Sequence, residues 1–237
     1  MAQFNDTLWL KLTLLNDATL GRGDGVAGLV DAEVQHDAYG LPYLGGKTLK
    51  GLLAAECAEI LHTLALSKNN QMDKWQEAAT SLFGIPGSDM ETAGRLIVGN
   101  AQLPDDLRRW IQADFRGLNE ADKGKRQRAN LASLTAVRKQ TAVDAQTGAA
   151  KDNTLRTMRV IVRGVSLTAR LDFTKPIPER ACWLLAAAAQ ALRRAGTGRN
   201  RGRGRVQATL LNEQNEPVNW FADFSQEVRR ERDHISG

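Results

Sequence analysis

Cysteine is almost absent. Cys57 and Cys182 are the only two, far apart and in no CxxC pair, which excludes a disulfide framework and a cysteine zinc site. Histidine is scarce too, with only His36, His62 and His234. Neither an H-E-x-x-H nor a G-x-S-x-G motif occurs, so zincin and serine-hydrolase readings have no support. No apolar run reaches the roughly 18 residues of a membrane span; the stretch WLLAAAA at 183–189 is closely flanked by charge. Residues 1–6 show no basic segment leading into an apolar one, so no signal peptide is expected and the cytoplasm is the default location. Aromatic residues make up only 5% of the 237.

What is abundant is arginine, unevenly placed. Residues 1–100 carry 7 basic and 12 acidic residues, a net charge of −5. Residues 101–237 carry 25 basic, 20 of them arginine, against 15 acidic, a net +10. Arginine's planar fork pairs bidentately with phosphate and stacks on bases, so the second half has the composition of a polyanion binder.

The hydrophobic pattern sets the order of elements. Residues 7–15 alternate as a strand, with Leu8, Leu10, Leu12 and Leu14 on one face. Residues 16–28 hold four glycines and two aspartates and read as a loop. Residues 29–34 read as a second strand. Residues 47–66 predict a helix, with Leu49, Leu52, Leu53, Cys57, Ile60, Leu61 and Leu64 at helical spacing. A shorter helix follows over 75–84, then a strand over 94–103. Residues 105–130 are polar, and 131–158 read as an insertion or arm. A strand over 159–173, a helix over 179–194 and a strand over 204–211 complete the pattern, before a polar hairpin or tail. Strands and helices mixed in this way predict an α+β fold with helices on one face of an antiparallel sheet: a ferredoxin-like core carrying insertions, in a single domain.

Four local clusters carry chemistry. The first is GLPYLGGKT over 40–48. It misses the Walker A spacing, because five residues rather than four separate Gly40 from Gly46-Lys47-Thr48. Its physics remains: Gly45 and Gly46 permit close backbone approach, and a helix start beside Lys47, Thr48 and Lys50 attracts a phosphate. The second is Arg193–Arg205, with six arginines and four glycines in 13 residues. Gly196, Gly198 and Gly202 lack the dinucleotide-binding spacing and follow a helix rather than a strand. A glycine-rich turn bearing Arg199, Arg201 and Arg203 suits a nucleic-acid backbone.

The third cluster is acidic: Asp24, Asp31, Glu33 and Asp37. Asp31 and Glu33 share a strand face and, near phosphates, have the chemistry to hold a divalent cation. His36 is a candidate for proton transfer, and His62, in the apolar helix, reads as structural. The fourth is the arm, with Arg138, Lys139, Arg156 and Arg159.

Taken in order, GLVDAEV at 28–34, GLPY at 40–43, GGKTLKG at 45–51, RLIV at 95–98 preceded by LFG at 82–84, and the glycine-rich loop 196–204 before a final strand resemble the RAMP superfamily. Within it the pattern is most similar to the backbone subunit of type III CRISPR effector complexes. The resemblance spans residues 7–211. It implies a ferredoxin-like, RNA-recognition-like core over 7–117 and 159–224, a thumb over about 118–158 and a tail over 225–237. It implies that copies stack along a guide RNA together with other effector subunits, and that a thumb displaces one nucleotide at regular intervals. It places a catalytic and metal-binding acid, with a divalent cation such as Mg2+, at Asp31, for cleavage of target RNA. It assigns guide-RNA contacts to Gly45, Gly46, Lys47, Thr48 and Lys50, to Arg138 and Lys139 of the thumb, and to Gly196, Gly198, Arg199, Arg201 and Arg203. One departure is visible: Gly45-Gly46 stands where the family usually has proline and glycine. A binding-only backbone subunit and a guide-precursor-processing endoribonuclease are the alternative functions.

Overall fold

The computed structural model describes residues 3–21, 30–85, 93–141, 146, 148, 154–198 and 202–233. The chain opens with a short strand β1 (Gln3–Phe4) and the long β2 (Leu8–Leu14), followed by helices α1 (Gly46–Leu66) and α2 (Met72–Phe83). After β3 (Leu96–Val98) come α3 (Asp105–Asp114), α4 (Glu120–Leu134), β4 (Thr135–Gln140) and β5 (Arg156–Ile161). The chain then returns through β6 (Ser166–Phe173), β7 (Ile177–Pro178), α5 (Glu179–Ala191), β8 (Val206–Leu211) and α6 (Trp220–Asp233).

The main sheet has the order β3-β6-β2-β8, and its pairs are all antiparallel. Read as a β-α-β-β-α-β path through β2, α1, β3, β6, α5 and β8, this is the ferredoxin-like topology expected from the sequence. The alternation in β2 explains its central position. Leu8, Leu10, Leu12 and Leu14 are almost wholly buried, while Trp9, Lys11 and Thr13 point to the other face. Burying each leucine contributes about 1.5–3 kcal/mol before ordering costs.

The helices cover the leucine face. Leu49, Leu53, Cys57 and Leu64 of α1 meet the core at spacings of a helical face, with Leu52, Ile60 and Leu61 at its margin. Helix α5 lies against α1, α2 and α6, and its run of buried alanines lets it do so closely. Burial pushes the thiols of Cys57 and Cys182 up to about 12, so both are inert packing groups.

Several expectations need correction. Residues 30–34 do not form a strand: their hydrogen bonds divide between two partners, with isolated bridges Gly21 to Val34 and Ala32 to Met158. Residues 159–173 are two strands, because the chain turns at Gly164 and β5 and β6 join different sheets. The polar stretch 105–130 forms α3 and most of α4, whose Leu131 and Leu134 reach the core. His62 is exposed on the solvent side of α1, so it plays no part in the core. Residues 220–233, expected in part as a tail, form α6.

A buried polar knot docks α6. Glu231 accepts hydrogen bonds from Asn69 and from the indole N–H of Trp75, both 2.8 Å, and pairs with Arg180 at 2.5 Å. Arg180 also pairs with Glu227 at 2.8 Å and lies over the Trp75 ring. Burial alone would raise the Glu231 carboxyl, but the bonds from Arg180, Asn69 and Trp75 outweigh it and hold the group below its ordinary 4.5. A depressed carboxyl contributes stability that is complete above the unfolded value and lost as pH falls through the folded one. Thermal melts should therefore show stability falling below about pH 4.5, with that component missing in Glu231→Gln. Glu231→Ala, which leaves Arg180 and Trp75 without this partner, should cost about 3 kcal/mol at pH 7 in urea unfolding.

Candidate nucleic-acid interface

Strand β5 is the seam at which distant parts of the chain meet. It pairs antiparallel with β4, register placing Lys139 opposite Thr157 and Arg138 opposite Met158. Alternation puts Thr157 and Lys139 on one face of this ribbon and Met158 and Arg138 on the other. On its free edge β5 receives the segment 30–34. The Asp31 N–H donates to the Thr157 carbonyl at 2.8 Å, and the Arg159 N–H donates to the Ala32 carbonyl at 2.9 Å.

Side chains repeat this pairing. Asp31 Oδ2 accepts from the Thr157 N–H at 2.6 Å and from its hydroxyl at 3.3 Å. Two residues on, Glu33 pairs with the Arg159 guanidinium at 2.9 Å. Asp31 is exposed, whereas the Glu33 carboxylate is only 5% exposed and Arg159 19%. Asp37 is committed elsewhere, accepting from the N–H groups of Tyr39 and Leu41. Asp24 lies outside the described residues. The His36 ring sits 3.1 Å from the carbonyl of Asp37.

The glycine-rich loop meets the other side of β5. The Arg203 guanidinium contacts the Met158 sulfur. Asp17 holds the loop and the ribbon together: its carbonyl accepts from the Gly204 N–H at 3.0 Å, and its carboxylate pairs with Arg138 at 2.8 Å. Gly204 has φ +68°, and a Cβ there would lie 2.0 Å from the Ala195 carbonyl oxygen. Only glycine closes this loop without displacing backbone. Gly196 and Gly198 also adopt positive φ. Arg199 and Arg201 lie outside the described residues.

The first glycine motif stands apart from β5. Gly46 is glycine for packing: a Cβ would lie 2.1 Å from the Val98 carbonyl oxygen, and its N–H is already taken by Asn100 Oδ1 at 2.8 Å. Gly45 faces Gln35. Lys47 and Thr48 are exposed at the start of α1. Lys50 instead donates to the Leu96 carbonyl at 2.7 Å, and burial lowers its pKa. Its ammonium is therefore directed at the sheet. Gln35 connects the two places: it follows Asp31 by four residues, a reach of at most about 14 Å along the chain.

Composition and spacing gave no sign of Thr157 as the partner of Asp31, or of Asp17 as the anchor of Arg138. Both depend on contacts between residues more than 100 positions apart. Among the described residues no group of three or more His, Cys, Asp or Glu could hold a metal ion. Nor is any helix among them long and apolar enough to cross a membrane.

The sequence model of the RAMP superfamily matches residues 11–207. The chain belongs to the RAMP superfamily. The match runs from the middle of β2 to the start of β8, and so covers every element of the seam. Solved structures share this fold. A chain in a cryo-EM structure of the type III-B Cmr-beta bound to cognate target RNA is 10% identical, with TM-score 0.57, covering 86% of this chain and 96% of that one. A chain in the apo state of Cmr-beta is also 10% identical, with TM-score 0.60, covering 88% and 98%. No curated protein sequence matches this RAMP chain.

The seam makes a direct prediction. Arg159→Ala leaves the buried Glu33 carboxylate unpaired and should cost about 3 kcal/mol in equilibrium unfolding. Arg138→Ala breaks only a half-exposed pair and should cost less than about 1 kcal/mol.

Proposed function

We propose that this protein is a subunit of a type III CRISPR effector that holds guide RNA and complementary target RNA, and that Asp31 takes part in cutting the target at regular intervals. The observation that carries this reading is that strand β5 holds one exposed carboxylate at its edge, Lys139 over one face and Arg138 and Arg203 over the other, in a chain of the RAMP superfamily. The resemblance of the fold to chains of Cmr-beta, one structure of which has cognate target RNA bound, supports it. Further copies of the chain and other effector subunits are the partners the reading requires.

In this account base pairing with the guide supplies sequence and the protein reads backbone and shape. Lys47, Thr48, Gly45 and the α1 start take guide phosphates. Lys50, turned toward Leu96, assists through the helix start rather than as a free cation. Arg138, Lys139, Arg199, Arg201 and Arg203, with Gly196 and Gly198 shaping the loop, offset the charge of the strands crossing β5. In this reading Asp31 accepts a proton from a 2′-hydroxyl of an unstacked nucleotide, while the basic groups stabilise the charge developing on the phosphate.

A lone carboxylate fits Mg2+ in the mode in which water and substrate phosphates complete the shell. Asp31 would hold such an ion, which supplies Lewis-acid stabilisation of the phosphate when bound.

A second reading has its own observation. Asp31 Oδ2 already accepts two hydrogen bonds from Thr157, so Asp31 has structural work to do in a binding-only subunit.

Cleavage of labelled complementary RNA by the guide-loaded assembly separates the two. Asp31→Asn keeps an acceptor for Thr157 but loses the charge. On the catalytic reading, it and Asp31→Ala reduce cutting by about 100-fold or more without weakening target binding, and EDTA abolishes cutting. A wild-type assembly that protects the target without cutting it establishes the binding-only reading. Undiminished cutting by Asp31→Asn removes Asp31 from the chemistry.

A further inference from the structure

The sheet has a second face that the helices leave open. Trp9, Lys11 and Thr13 of β2 point to it, with Trp9 opposite Arg170 on β6 and Leu211 on β8. Around Trp9 lies a cavity of about 570 Å3, within the usual range of roughly 300–1,000 Å3 for small-ligand sites. Its floor is Trp9, Thr168 and Arg170. One wall is the chain from Gly99 to the start of α3, and the other is the turn after β8. The cavity is separate from the β5 seam: none of Asp31, Arg138, Lys139 or Arg203 lines it.

The charged residues that line it balance, Arg108 and Arg170 against Asp105 and Glu213. Arg108 pairs with Asp105 at 3.1 Å and Arg170 with Asp172 at 2.9 Å. A trough neutralised in this way is poorly suited to a phosphate backbone lying along it. It offers an aromatic ring and carboxamides instead. Gln102 and Asn215 each carry an acceptor and a two-hydrogen donor, and Asn100, whose oxygen is taken by the Gly46 N–H, keeps its amide NH2. An indole that offers a stacking surface, edged by groups that donate and accept, matches the needs of a nucleobase. Lys11 stands exposed on the same face, two residues along β2 from Trp9. Asn100 also joins this trough to the start of α1, since it borders the cavity and caps Gly46.

We propose that the open face of the sheet is a second nucleic-acid site, which takes an unpaired nucleobase of single-stranded RNA stacked on Trp9, with Gln102 reading its edge. This goes beyond the guide and target contacts assigned to the β5 seam and stands whether or not Asp31 cuts.

The test uses the full-length protein and short single-stranded RNA oligomers carrying 5-iodouridine. Photocross-linking followed by peptide mapping should place a cross-link in the peptide containing Trp9. Trp9→Ala should weaken oligomer binding about tenfold, as loss of one base stack does, with Trp9→Phe recovering most of it. Gln102→Ala should narrow the preference among oligomers of different base without changing the salt dependence. Cross-links confined to peptides carrying Lys139 or Arg203 overturn the proposal. So does wild-type affinity in a folded Trp9→Ala protein. Concentration-dependent self-association abolished by Trp9→Ala, with no cross-link at Trp9, shows that a second copy covers this face and overturns it as well. Should Trp9→Ala fail to fold, the cross-link position and Gln102→Ala still decide. Failure to cleave target RNA with the Trp9 cross-link intact counts against the role of Asp31 and not against this site.

Discussion

The buried ion pair between Glu33 and Arg159 is the constraint on which the interface depends. The segment carrying Asp31 belongs to no continuous ladder, so backbone pairing alone does not fix it. What fixes it is a carboxylate taken out of water, which is tolerated only while its guanidinium partner stays in place. That pair sets the register of the segment against β5, and the register delivers Asp31 to Thr157 two positions earlier. An exposed acid thus owes its placement to a buried one. The same strand carries Met158, and through it the contact with the glycine-rich loop. One six-residue strand therefore ties together pieces from the N-terminal third, the arm and the C-terminal third of the chain.

Much of the core was legible in the sequence because it rests on periodicity. The alternating leucines of β2 and the helical spacing of α1 specify their buried faces directly, and the mixed order of strands and helices leads to the ferredoxin-like topology. What periodicity could not show was pairing. Residues 29–34 look like a strand because apolar and acidic residues alternate along them, yet the partners of 30–34 are split between Gly21 and Met158. Residues 159–173 look like one strand because side-chain alternation says nothing of a turn at Gly164. The polar knot of α6 was hidden for a related reason: Arg180, Glu227 and Glu231 read as surface charges until packing buries them against Trp75.

The glycines show the same division. Gly46 and Gly204 both stand in motifs suggestive of phosphate binding, and both are required by close backbone approach within the protein. These two reasons are compatible, since a loop drawn tightly against the fold presents its arginines from a fixed base. The lysines divide more sharply. Lys47 and Lys50 are three residues apart in the sequence, but one faces solvent and the other donates to the sheet. Spacing identified the helix start, and only packing distinguished its two cations.

The central claim is that the 31–33 segment, β5 and the glycine-rich loop form one RNA-holding unit. Hydrogen–deuterium exchange with and without bound guide RNA tests it most directly. The account predicts that amides at 31–33, 157–159 and 202–206 slow together on RNA binding, and that raising the salt concentration reverses all three changes together. Protection at only one of these segments, or at none of them while RNA is bound, would contradict it.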